Sequence, residues 1–183
     1  MPWAGSGRID ILLPEADASS HQGLGLLFDS IPTLADLPDL CEAAIGIVTE
    51  HRLVSGQRVT VNGEGGPITA LPVLQEHGDI PSLGFRFGGL AYSCDLSGLP
   101  EASVAALAGT AVWIVDALRY RPHPSHFSVD DALAWIARIK PGRAILTNLH
   151  ADLDYDELRS KLPPHVEPAF DGLRIEMPDE SLA

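Results

Sequence analysis

The sequence predicts a single α/β domain, on three observations. "AVWIVDAL", "SVDDALAWIARIK" and "RAILT" read as strand, helix and strand, a β-α-β unit in the second half. Glycine-centred hairpin signals fill the middle of the chain. Its 183 residues, 45% hydrophobic, suffice for one sizeable core and are too few for two comfortable ones.

"RIDILLP", ending at Pro14, reads as a short strand closed by proline. From Glu15 to about Glu50, Gly23, Gly25, Pro32, Pro38 and Gly46 interrupt any helical period, so one or two short helices and loops are expected. "RVTV" and "ITALPVL" are β-branched runs about the glycine-rich turn "NGEGGP", and "SLGFRFGGLAYSCD" is two more strand-like runs about Gly88-Gly89. The middle is therefore expected to be mainly antiparallel sheet.

In the second half, Ser128 stands where a helix cap belongs and Asp130 and Asp131 occupy the first turn, where the helix dipole favours acids. Val129, Leu133, Ile136 and the stem of Lys140 share one face, and Pro141-Gly142 ends the helix. "DYDELRSKL" is a further helix, with Asp152 and Asp154 as cap and first-turn acids, and it stops at Pro163-Pro164. "GLRIEM" is expected to close the fold as a last strand.

Composition removes several functions. Lys and Arg number 12 against 25 Asp and Glu, a net charge of −13, which argues against a phosphate-tracking nucleic-acid surface and leaves room for a small cationic pocket. Cys41 and Cys94 are far apart with no C-x-x-C, so they read as reduced thiols. "GEGGP" precedes an apolar strand and no G-K-[ST] follows it, which excludes a phosphate loop; G-x-S-x-G is absent as well. "MPWAGSGRID" lacks an apolar signal core and no run approaches the roughly 20 apolar residues of a membrane span, so a soluble, cytoplasmic protein without membrane contact is expected.

Three metal-competent side chains lie just beyond strands: His77 after "ITALPVLQE", Asp95 after "LAYSC" and His150 after "RAILTNL". Strand ends of a layered α/β domain converge on one edge, and two imidazoles with a carboxylate are a workable metal set. Read singly, each is more often an ordinary loop histidine, or a turn or helix-cap aspartate. A second group, Arg119, Arg121, His123 and His126 in "ALRYRPHPSHFS", concentrates cations at another strand end; it is either an anion site suited to phosphate or a solvated loop.

The stretches "QEHGDIPSLGFRFGGLAYSCDLSGLP", "WIVDALRYRPHPSHFSVDDALAWIARIKPGRAILTNLHADLDYDELRSKLP" and "EPAFDGLRIEM" together resemble the C-terminal part of metallo-β-lactamase-fold hydrolases, in particular the phosphoribosyl cyclic phosphodiesterase subgroup. The resemblance is specific over residues 59–177 and looser over 8–58. It implies a partial αββα sandwich, one incomplete domain over 1–183, lacking the N-terminal strands and the first metal loop. It also implies a metal-dependent hydrolase, two ions of zinc or manganese in a complete site, and a small phosphorylated substrate. By the same resemblance His77, Asp95 and His150 match the later metal ligands, and His126 matches a general acid or substrate-orienting histidine with His123 as the nearby alternative. Arg119 and Arg121 would grip phosphate.

The family's H-x-H-x-D-H loop occurs nowhere in the sequence. Three accounts remain open. The chain is a truncated copy of an ordinary dinuclear hydrolase; or a degenerate, non-catalytic interaction or regulatory module that pairs with itself or a partner chain across an exposed sheet edge; or a mononuclear site holding at most one ion.

Overall fold

In the computed structural model, which describes residues 9–14 and 48–177, the chain divides after Val54 into two units. The helices and loops expected between Glu15 and Glu50 fall outside the described residues except for Val48–Glu50, which are strand. In the first unit β1 (Ile9–Pro14) pairs in parallel with β2 (Val48–Leu53), Ile9 opposite Val48 and Pro14 opposite Leu53.

The second unit holds a seven-stranded sheet in the order β3-β4-β5-β6-β7-β8-β9. β3 (Val59–Gly63) and β4 (Gly66–His77) form the expected hairpin, with the Thr60 and Thr69 hydroxyls bonded across it at 2.9 Å. β5 (Ile80–Phe87) and β6 (Leu90–Ser93) turn about Gly88-Gly89. Arg86 braces that turn by donating to the carbonyls of Gly88 and Ala106, at 2.7 and 2.6 Å. From β6 onward the sheet is parallel: β7 (Val112–Asp116), β8 (Arg143–Thr147) and β9 (Val166–Pro168).

Helix α1 (Glu101–Leu107) connects β6 to β7, α2 (Val129–Ile139) connects β7 to β8, and α3 (Tyr155–Lys161) connects β8 to β9. α2 opens on a full capping box, in which the Ser128 side chain takes the Asp131 amide and the Asp131 carboxylate takes the Ser128 amide. Its buried stripe is Val129, Ala132, Ile136 and Ile139, with Leu133 half-buried; Lys140 is exposed as a left-handed C-cap, so Ile139 fills the place expected of its stem. Two elements differ from expectation. The seven-residue α1 has too little periodicity to be legible in "EASVAAL". The last strand is "VEP", beside β8, whereas "GLRIEM" is irregular: once Val166 has paired with Ala144, the edge is taken and Pro168 ends the strand.

Alternating residues put Val73, Ala91, Trp113, Val115, Ala144, Leu146 and Val166 on one sheet face, packed with Leu107, Ile136, Ile139 and Leu158 of the helices. Each large side chain fully removed from water there is worth roughly 1.5–3 kcal/mol. Trp113 keeps its indole N–H satisfied by donating to Ser93 Oγ at 3.0 Å. Because β4 and β6 both run antiparallel to β5, the carboxyl ends of β4, β6, β7 and β8 all reach the same edge. No helix among the described residues is long and apolar enough to cross a membrane.

Candidate metal centre

Each of those four strand ends delivers a functional side chain. His77 is the last residue of β4, and hydrogen bonds tie its neighbours to the loop after β6. Glu76 N donates to Gly98 O at 3.0 Å, Ser97 N to Glu76 O at 2.6 Å and Gly78 N to Ser97 Oγ at 3.2 Å. Gly78 is left-handed at φ 59°, and a Cβ there would meet Ser125 at 3.1 Å, so glycine lets the loop after β7 close over His77. Asp95, two residues past β6, is also left-handed at φ 57°.

The loop from β7 to α2 is pinned at its ends by Leu118 N donating to Phe127 O and Val129 N to Arg119 O, both at 2.9 Å. Within it, His126 Nδ1 lies 2.6 Å from Asp116 Oδ2. Asp116 ends β7 and is fully buried; its carboxylate also accepts from Asn148 Nδ2 at 3.1 Å and Leu96 N at 3.5 Å. A carboxylate can only accept, so the His126 proton is on Nδ1 and the lone pair is on Nε2. That Nε2 stands 3.3 Å from His77 Nε2, and ligand atoms of His77, Asp95 and His126 all lie within 4.8 Å of one another.

This donor set fits a divalent ion. Bonds of about 2.0–2.1 Å in a tetrahedron separate two imidazole nitrogens by about 3.3 Å, which is the spacing between His77 and His126. With its proton on Nε2 a neutral His77 can donate to His126 Nε2 across that gap, and a metal ion held by the two nitrogens and the Asp95 carboxylate would take the place of that bond.

The remaining expected residues fall elsewhere. His150 is outside the group: its amide donates to Leu118 O at 2.9 Å, and its half-exposed ring pairs with Asp152. Arg119 folds back on its own loop, donating to Arg121 O at 3.2 Å and Pro122 O at 2.9 Å, while Arg121 is exposed. His123 sits beside His126, ring centroids 5.0 Å apart; desolvation, then the Arg119 guanidinium, hold it below the usual imidazole range. Burial, then Asp95 and Asp116, push the Cys94 thiol up to about 11. Asp116 and Asn148 went unread in the sequence, although a carboxylate inside the apolar run "AVWIVDAL", ten residues before a histidine, is a signal for a buried backing group.

Residues 26–148 match the family model of the beta-lactamase superfamily domain. The chain belongs to that family and has the metallo-β-lactamase fold. A crystal structure of a diphosphatase from the PhnP family matches with a TM-score of 0.71 and 29% identity, covering 93% of this chain and 60% of that one. The short form of human tRNase Z shares the fold at a TM-score of 0.54 and 18% identity, over 93% of this chain and 68% of that one. In sequence, an octanoyltransferase of Porphyromonas gingivalis (strain ATCC BAA-308 / W83) is 32% identical over 109 residues, 58% of this chain. The chain spans 22% of that protein's length and 60% of the diphosphatase's. The family implies a divalent metal, and two groups of side chains among the described residues lie close enough to hold one, His77 with Asp95 and His126, and Cys94 with Asp95 and Asp116.

Proposed function

We propose that the chain is a metal-dependent hydrolase acting on a small phosphodiester, its ion held by His77, Asp95 and His126. The observation that carries this is the convergence of those three ligand atoms within 4.8 Å at the sheet edge, with His126 fixed from behind by the buried Asp116. The diphosphatase relative and the cationic residues of the β7–α2 loop support a phosphoryl substrate.

When bound, the ion lowers the pKa of water and neutralises charge on a phosphoryl oxygen. The chain's own residues do the rest. Asp116 keeps the proton on His126 Nδ1 and so keeps the Nε2 lone pair aimed at the centre. Arg119 holds the loop by its carbonyls, which leaves Arg121 as the guanidinium for the substrate phosphate. His123, beside His126, is placed to pass a proton to the leaving oxygen.

The test is zinc and manganese content of the purified full chain, with turnover of an aryl phosphodiester. His126→Ala is expected to lose the metal and His150→Ala to keep it. The division of labour implied by the sequence resemblance, His150 as ligand and His126 as proton donor, gives the reverse: His126→Ala then keeps its metal and loses about 10²-fold in rate. A parent chain with metal in fewer than about one molecule in ten, and no turnover, overturns the hydrolase reading and leaves the non-catalytic module.

A further inference from the structure

Behind the metal centre lies a buried amide that the chemistry so far does not use. Gln75 is fully buried in β4, two residues before His77. Its Nε2 donates to Ser82 Oγ at 3.0 Å and to Cys94 O at 2.9 Å, and Ser82 Oγ donates onward to Asp95 O at 2.6 Å. One amide and one hydroxyl thus grip both consecutive carbonyls of the turn that carries Asp95.

Two further observations show that this pair is not there for packing. Gln75 Oε1 is buried without a hydrogen-bond partner, a cost that methionine or leucine of similar size would avoid. Room for the amide depends on Gly84 across the strand pair, where a Cβ would stand 2.3 Å from Oε1 and 2.9 Å from Tyr92 O. The turn itself needs restraint. Asp95 is a non-glycine residue at φ 57°, a conformation that persists only where the surroundings over-determine it. Its side chain is 57% exposed, so packing does not set its direction.

We propose that Gln75 and Ser82 are positioning residues that clamp the Cys94–Asp95 turn in its left-handed form and so aim the Asp95 carboxylate at His77 and His126. This rests on the metal-centre reading above. Released, the peptide after Asp95 can relax toward right-handed backbone, which turns the carboxylate away from the two imidazoles. Metal affinity would then fall while the sheet stays folded.

The experiment measures zinc affinity of the full chain by competition with a chromophoric chelator, for the parent, Ser82→Ala, Ser82→Thr and Gln75→Met. Ser82→Ala and Gln75→Met are expected to bind about 10- to 100-fold more weakly, and Ser82→Thr, which keeps the hydroxyl, within about 3-fold of the parent. Parent-like affinity in Ser82→Ala, or a Ser82→Thr as weak as Ser82→Ala, overturns the clamp. If the parent binds no zinc, the metal reading fails by itself and the clamp is judged by amide hydrogen exchange of the metal-free protein. The Leu96 and Ser97 amides should then exchange about 10-fold faster in Ser82→Ala, with Trp113 and Ile145 unchanged. Unchanged Leu96 and Ser97 overturn it.

Discussion

His126 and His150 follow adjacent parallel strands, and each has an aspartate at Nδ1, yet the two pairs are physically different. Behind His126 stands Asp116, on the strand itself and 0% exposed, and the ring is 17% exposed. Behind His150 stands Asp152, two residues on and 61% exposed, with the ring at 57%. The Asp116 carboxylate is held by Asn148 and Leu96 in a medium where charge is poorly screened; the exposed Asp152 carboxylate reaches only the His150 ring among the described residues. A histidine and an aspartate therefore do not make an oriented imidazole. Burial of the carboxylate does, because only a buried acceptor has its direction fixed by other bonds.

The comparison can be broken in four places. The largest effect is on Cys94, which the buried side influences through burial and the two carboxylates. A thiol pushed up to about 11 offers at pH 8 about a hundredth of the thiolate of an ordinary cysteine. Alkylation of Cys94 in the metal-free folded protein should thus be about 100-fold slower than in urea, followed by peptide mass spectrometry. Equal rates would show that neither burial nor the Asp95 and Asp116 carboxylates raise it.

Next is Asp116→Ala, which leaves the His126 Nδ1, Asn148 Nδ2 and Leu96 N donors without their shared acceptor. It is expected to cost about 3 kcal/mol in chemical denaturation and to weaken zinc binding about 10- to 100-fold. Asn148→Ala removes one of those bonds and puts a Cβ residue with no compensating side chain at φ 58°, for about 1–2 kcal/mol. Asn148→Gly, which tolerates that φ, should recover roughly half of the loss. The smallest is Asp152→Ala, expected to stay within about 0.5 kcal/mol of the parent with unchanged metal content. A larger loss there would make the two histidine pairs equivalent after all.

Much of the second unit was legible because its signals are local. Ser128 with Asp131 marks a helix start whatever surrounds it, Gly88-Gly89 marks a turn, and the apolar runs "VWIV" and "AIL" have one stable place, inside a sheet. The failures were not local. "GLRIEM" has strand character, but pairing is decided by which segment reaches the free edge of β8, and "VEP" reaches it first. Lys140 and Ile139 compete for one place under α2, and the apolar residue takes it.

By itself, the sequence determined the α/β class, most of the strands from Val59 to Thr147, and two of the three grouped side chains as metal-competent, His77 and Asp95, since each follows from patterning within some ten residues or from side-chain chemistry; His126 was read there as a proton donor. Only the tertiary structure decided which of them meet. His77, Asp95 and His126 are separated by 18 and 31 positions in the chain, and their convergence is a matter of register between strands. His150 was as good a candidate by type and by strand end, but its half-exposed ring pairs with Asp152 and it is not part of the group of three.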